Sequence, residues 1–347
     1  MFSKSFSIGA RLVGDSAPCY IIAEAGVNHG GDLALALKMI DVAVEAGADA
    51  IKFQSFKAGS LILKDVGLAP YQERALSKGI SQYEMLENLE MSIEMAASLQ
   101  RACKAKNIEF LTTPFDAESL DEISRLELGA YKIASTDLTN PHFIQKVAGL
   151  KAPVILSTGM SYDSEVDIAV SAVKKESSEL VLLQCASNYP VPINEVNLSV
   201  MTAFTNKYGC VVGYSDHTLG IEAPMAAVAI GAKVIEKHFT LDRTFEGPDH
   251  AASLEPEELV TMIRQIRTVE QMIGTPVKYP STSESLTRLS LQKSIVAKSN
   301  IEKGEIFSDA NLTAKRTGGR GLSAIYMNDL LGKRSMKSYS KDEIIEL

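Results

Sequence analysis

The chain has 347 residues, with 35 Lys and Arg set against 43 Asp and Glu, and a formal net charge of −8, a balance that argues against a binder of nucleic-acid backbones. Hydrophobic residues make up 46 % and charged residues 22 %, ordinary values for a globular protein that set aside disordered and fibrous classes. The length allows one large enzyme-sized core and leaves room for a second, smaller domain.

The four cysteines, Cys19, Cys103, Cys185 and Cys210, form no CxxC pair and mostly sit in apolar runs, the pattern of reduced, packed thiols in a cytoplasmic protein. Residues 1–14 lack the apolar core of a signal peptide, and the long run 223–235 is broken by Pro224, Gly231 and Lys233. Neither an export signal nor a membrane span is expected.

Taken in chain order, short β-branched runs alternate with segments whose apolar residues recur at three- and four-residue spacing. A strand is predicted at residues 20–23 and a helix at 33–46; a strand at 50–53; a helix at 93–106 and a strand at 108–111; a helix at 117–126 and a strand at 130–133. A strand at 154–156 follows, then a helix at 164–175, strands at 180–183 and 211–213, a helix at 221–230, a strand at 233–235 and a helix at 256–273 that opens on Pro256. Eight such strands predict a (β/α)8 TIM barrel over residues 1–274. The stretch 57–88 holds Gly, Pro and charge without one sustained period and reads as an elaborated active-site loop. Residues 275–291, rich in Pro, Ser and Thr, read as a linker, and 292–347 as a small C-terminal domain.

Each predicted strand runs into polar chemistry. Glu24, Asn28 and His29 follow the first; Lys52 and Gln54 end the second; Thr112 and Thr113 follow the third; Lys132 and Ser135 mark the fourth. Ser157, Thr158 and Gly159 follow the fifth, Ser187 and Tyr189 the sixth, Ser215, Asp216 and His217 the seventh, and Glu236, Lys237 and His238 the eighth. A lone Ser or Thr after a strand is most simply a cap or turn residue. Eight polar ends converging on the C-terminal face of a barrel make a site. Lys52 and Lys132 lie among apolar strand residues, where an unpaired ammonium is costly and an anionic ligand would relieve the cost; with the hydroxyls they suggest a phosphate and carboxylate cradle. His217 and His238, at adjacent strand ends, fit either a shared metal or two hydrogen-bonded barrel histidines. Asp249, in the loop after the eighth strand, fits a ligand or a support to the metal shell.

The runs Ile21-Ile22-Ala23-Glu24-Ala25-Gly26-Val27-Asn28-His29, Lys52-Phe53-Gln54, Thr112-Thr113-Pro114-Phe115, Tyr131-Lys132-Ile133, Ser157-Thr158-Gly159-Met160, Gly213-Tyr214-Ser215-Asp216-His217 and Glu236-Lys237-His238-Phe239 together resemble the sialic acid synthase family. The tail, with Lys303-Gly304-Glu305, Asn311-Leu312 and Lys315-Arg316, resembles that family's antifreeze-like (SAF) domain. The resemblance implies an enzyme that condenses phosphoenolpyruvate with an N-acetylated mannose-type sugar. It implies that His217 and His238 bind a divalent ion, Mn2+ or Mg2+. Lys52, Thr113, Lys132, Ser135, Ser157, Ser187 and Ser215 match positions that hold phosphoenolpyruvate, and Glu24, Gln54, Tyr189 and Asp249 match positions facing the sugar and the reacting centre. Glu24 is the candidate proton-transfer or sugar-positioning carboxylate. Arg316 matches an arginine lent to the sugar site of a partner subunit, implying a domain-swapped homodimer.

Two positions depart from the family pattern: Asp137 stands where many relatives carry a Glu that reaches the sugar, and Ala186 where many carry a Thr. The run Gly247-Pro248-Asp249-His250 looks more like the sialate and legionaminate branches than the pseudaminate branch. Rival readings are a pyruvate-dependent aldolase or lyase, with Lys132 as a Schiff-base lysine or the metal stabilising an enolate, a pseudaminic acid synthase, and a carbohydrate-binding protein without turnover.

Overall fold

The computed structural model describes residues 1–69, 72–73 and 80–346, which form two units, Met1–Gly274 and Thr275–Leu347. In the first, a hairpin of β1 (Ser5–Ile8) and β2 (Arg11–Gly14) precedes eight parallel strands: β3 (Tyr20–Gly26), β4 (Ala50–Ser55), β5 (Glu109–Pro114), β6 (Tyr131–Ile133), β7 (Val154–Ser157), β8 (Leu180–Cys185), β9 (Val211–Asp216) and β10 (Val234–His238). The sheet runs β5-β4-β3-β10-β9-β8-β7-β6. The first of the eight in chain order, β3, pairs with the last, β10, from Val234↔Tyr20 to His238↔Glu24, so the sheet curls into a nearly closed barrel.

All eight strands stand where the apolar runs predict them, and most continue one to three residues further. The apolar signal fades at the strand ends, but the ladder continues, and Glu24, Thr113, Ser215 and Glu236 in those extensions find partners in the lumen. Helices Leu33–Ala46, Ile93–Ala105, Ala117–Ile123, Asp163–Glu176, Glu222–Ala229 and Pro256–Ile273 also match their predicted segments. Local chemistry sets their ends: the Asp32 carboxylate accepts from the Ala34 and Leu35 N–H groups, and Gly47 closes the same helix at φ 82°.

Apolar periodicity misses Pro141–Ala148, although Asn140 caps it and Pro141 opens it, and Ser199–Tyr208, which buries only Met201 and Phe204. The predicted irregular loop 57–88 contains helices Ala58–Leu61 and Gln82–Leu89, the second started by a Ser81/Glu84 capping box. Residues 70–71 and 74–79 of that loop, and residue 347 of the predicted tail, lie outside the described residues.

Two apolar layers wrap the strands. Outward residues such as Ile21, Phe53, Leu156, Tyr214 and Ile235 pack under the helices. Inward ones, Ile22, Ala50, Leu111, Ala130, Ile155, Val211 and Val234, fill the lumen at the strands' N-terminal ends together with Phe6, Ile8 and Val13 of the hairpin, which plugs that mouth. Among the described residues no helix is long and apolar enough to cross a membrane.

In the second unit, β11 (Lys293–Ala297) pairs antiparallel with β12 (Leu312–Arg316). A small core of Ile295, Ala297, Ile301, Phe307, Leu312, Leu330, Tyr339 and Ile345 supports them. Residues 282–291, predicted as linker, form a helix capped by Ser281 and Glu284, with no buried residue.

Candidate active site

Side chains alternate along a strand, so two residues beyond each member of the lumen's apolar layer the chain again points inward. Ile22 leads to Glu24, Ala50 to Lys52, Leu111 to Thr113, Ala130 to Lys132, Ile155 to Ser157 and Val234 to Glu236. A polar layer therefore lies directly on an apolar one, and all six of these polar side chains are buried.

The Lys52 ammonium lies 2.8 Å from Glu24 Oε2 and 3.8 Å from Glu236 Oε2, and donates to Thr113 Oγ1 at 3.0 Å. Lys132 Nζ lies 3.4 Å from Glu236 Oε1, which also accepts from Ser215 Oγ at 2.8 Å. Gln54 Nε2 donates to Glu24 Oε1 at 3.3 Å. The sequence-based expectation that an anionic ligand balances the lysines is thus corrected: two carboxylates of the chain already do so. Glu236 is the site residue that strand-end reading leaves without a role. Its signal is simple, since it sits two residues before His238 and must share its face.

Burial, reinforced by Glu236 and opposed by Lys52, pushes the Glu24 carboxyl up to about 7. Burial pushes Glu236 upward too, but Lys132 and Lys52 outweigh it and hold that carboxyl at about 2. Burial lowers Lys132 despite Glu236 beside it, whereas for Lys52 the two carboxylates overcome burial and raise it. One charged acid, one acid poised near neutrality and two ammonium groups share the barrel floor.

Beside them is a hydroxyl cradle. The Gly159 N–H donates to Ser135 Oγ at 2.8 Å. A Cβ at Gly159 would stand 2.2 Å from Ser187 Oγ and 2.9 Å from Ser135 Oγ, so only glycine lets these two hydroxyls approach one another's space. Ser157 Oγ is buried with no hydrogen-bond partner among the described residues. A buried hydroxyl in that state is destabilising until a ligand satisfies it.

The two histidines face one another with ring centroids 5.4 Å apart. His217 Nδ1 donates to the Ala186 carbonyl at 2.8 Å, which leaves Nε2 as its free lone-pair nitrogen. This bond uses the backbone, so Ala in place of Thr at 186 leaves it intact. His238 Nδ1 is buried with no hydrogen-bond partner among the described residues, 3.9 Å from Asp249 Oδ2. Gly26, at φ 55°, leaves room for that ring: a Cβ there would lie 3.3 Å from His238 Cε1. Tyr189 stacks on His217 at 4.1 Å and meets His238 edge-on at 5.7 Å. No group of three or more His, Cys, Asp or Glu among the described residues forms a metal cage.

One cavity of about 630 Å³ is lined by Glu24, Lys52, Gln54, Thr113, Lys132, Ser135, Asp137, Ser157, Ser187, Tyr189, Ser215, His217, His238 and Asp249, whereas the strand-end residues Asn28, His29, Thr112, Thr158, Asp216 and Lys237 do not line it. Sequence reading names Glu236 at its strand end without a role, and misses Cys185 and an apolar portion that includes Phe56, Ile62, Leu86 and Phe115. Those apolar residues carry no chemical signature in sequence; two of them belong to or border the helices of the predicted loop. Arg316 belongs to the second unit, exposed at the end of β12.

The NeuB family profile matches residues 39–278 and a SAF domain profile matches 292–346. An N,N'-diacetyllegionaminic acid synthase from Campylobacter jejuni is 46 % identical over 328 residues, covering 94 % of this chain and 98 % of that protein. One from Legionella pneumophila is 42 % identical over 331 residues, covering 94 % and 93 %. Among solved structures, an N-acetylneuraminic acid (sialic acid) synthetase from Leptospira borgpetersenii in complex with citrate superposes with a TM-score of 0.74 at 37 % identity, over 82 % of this chain and 95 % of that one.

Proposed function

This chain belongs to the NeuB family, the sialic acid synthase family its motifs resemble, and from that premise we propose that it condenses phosphoenolpyruvate with an N-acetylated mannose-type sugar and water, giving a nonulosonic acid and phosphate. The acceptors ranked first are 2,4-diacetamido-2,4,6-trideoxymannose and N-acetylmannosamine. The observation that carries the reading is the pair of buried lysines beside the Ser135–Gly159–Ser187 cradle, in one cavity with two facing histidines. Four buried, free cysteines support work in the cytoplasm.

Lys52 and Lys132 would neutralise the phosphate and carboxylate of phosphoenolpyruvate, with Thr113, Ser135, Ser157, Ser187 and Ser215 donating hydroxyl hydrogen bonds. An arriving anion competes with Glu24 for Lys52. Glu24, freed and poised near neutrality, can then hold or release the proton that moves as the methylene carbon attacks the sugar's aldehyde carbon. Water adds to the carbon that bears the phosphate ester, and carbon–oxygen cleavage expels phosphate. Gln54, Asp137, Tyr189 and Asp249 would orient the sugar. His217 Nε2 and His238 Nδ1, the latter without a hydrogen-bond partner among the described residues, suit a divalent ion, Mn2+ or Mg2+, which when bound would polarise the aldehyde as a Lewis acid. Arg316 would reach the sugar from the SAF domain of a partner subunit in a homodimer.

The test is phosphate release from phosphoenolpyruvate and Mn2+ with each candidate sugar, the altrose-configured pseudaminate precursor included, with product mass measured. Release with a mannose-type sugar and a product heavier by the three-carbon unit are expected. Lowering of the Lys132 ammonium by burial favours one second reading, a Schiff-base lyase. Condensation with pyruvate alone, or a borohydride-trapped adduct at Lys132, would establish it instead.

A further inference from the structure

Strands β9 and β10 carry a second pair of charges that the proposed reaction does not use. Asp216 and Lys237 face each other across the ladder. Alternation puts them on the outer face with Tyr214 and Ile235, members of the apolar layer under the helices, while Ser215, Glu236 and His238 point to the lumen. Both charged side chains are 0 % exposed. Lys237 Nζ donates to Asp216 Oδ2 and to the Thr218 carbonyl, each at 2.5 Å. Asp216 Oδ1 accepts from Tyr214 Oη at 3.0 Å and from the Thr218 N–H at 2.9 Å, and Oδ2 accepts from Thr218 Oγ1 at 3.1 Å.

The chain on both sides of His217 is therefore held by one ammonium group, and that group belongs to the residue immediately before His238. Stability alone does not explain the arrangement, because an apolar pair of similar volume would fill the space without the desolvation of two charges. Hydrogen bonds do what apolar contact cannot: they fix direction and distance. The backbone around His217 is thus locked to the strand carrying His238, while its imidazole is held separately by the Ala186 carbonyl just after β8.

We propose that Lys237 and Asp216 are positioning residues that set the separation of the His217 and His238 side chains, and thereby the affinity of the pair for a divalent cation. The proposal rests on the reading of these histidines as ligands. Both are tested by Mn2+ titration of the full-length, substrate-free protein, following the paramagnetic resonance signal of the free ion, with thermal denaturation recorded in chelator. In Asp216→Asn/Lys237→Met the asparagine still accepts from Tyr214 and Thr218, and no lone charge is buried, so the fold is retained. The expected result is a chelator Tm close to that of the parent protein with Mn2+ affinity weakened about tenfold or more. Thr218→Val removes one donor while keeping both charges, and should weaken Mn2+ binding measurably with Tm nearly unchanged. A folded double variant, or a Thr218→Val protein, with the parent's affinity overturns the clamp. Parent and His217→Ala proteins that bind Mn2+ equally would instead remove the histidine reading, and the clamp with it.

Discussion

Glu236 lies between Lys52 and Lys132 and offsets part of the cost of keeping both ammonium groups in a buried lumen. Glu236→Gln keeps the shape and the acceptor for Ser215 while removing the charge the lysines share. The floor then carries excess positive charge, so inorganic phosphate should inhibit more strongly while kcat falls by about tenfold or more, because product anion leaves slowly. Inhibition kinetics decide it; an unchanged phosphate Ki would show that Glu236 is not the counter-charge. Asp137 offers a pH test. Burial, with Asp116 adding and the Thr136 hydroxyl opposing, raises its carboxyl to about 6, so it is an ionised acceptor above that pH and a neutral acid below. If it holds the sugar, the sugar KM at saturating phosphoenolpyruvate should rise as pH falls through about 6. In Asp137→Asn that step should vanish, with KM already at the low-pH level. A step that persists in the variant assigns the titration to another group.

At the scale of elements, the hairpin β1–β2 is a stopper. Phe6, Ile8 and Val13 complete the apolar layer at the strands' N-terminal mouth, while the polar layer occupies the other end, so plug and chemistry are separable. Phe6→Ala should lower unfolding free energy in urea by about 3–5 kcal/mol and leave kcat of the folded fraction unaltered; a comparable loss of kcat without loss of stability would contradict that separation. The hairpin itself is hard to read in sequence, since its two strands contribute only three of the lumen's residues. The barrel strands are legible because both of their faces are apolar below the polar layer, which gives short continuous runs. Their C-terminal extensions are not, because Glu24, Thr113, Ser215 and Glu236 look like loop residues until a lumen pairs them. Most site residues are legible for the opposite reason: polar chemistry at a strand end is conspicuous against an apolar run. Phe56, Ile62 and Leu86, which line the same cavity, merge with ordinary core.

For the whole molecule, a net charge of −8 coexists with a floor in which two ammonium groups face two carboxylates, one of them poised near neutrality. Binding of a small anion is then an exchange of partners more than a matter of global sign, and long-range steering should contribute little. In the proposed reaction the second unit would contribute Arg316, which is exposed at the end of its strand. If a partner subunit supplies it, two inactive proteins should repair each other. Full-length Arg316→Ala keeps an intact barrel, and full-length His217→Ala keeps an intact tail. Unfolding is not needed to mix them; prolonged incubation at low concentration, to allow subunit exchange, followed by concentration should regain phosphate release that neither variant shows alone. Mixed dimers isolated by two affinity tags, and still inactive, would place Arg316 in service of its own barrel or of none.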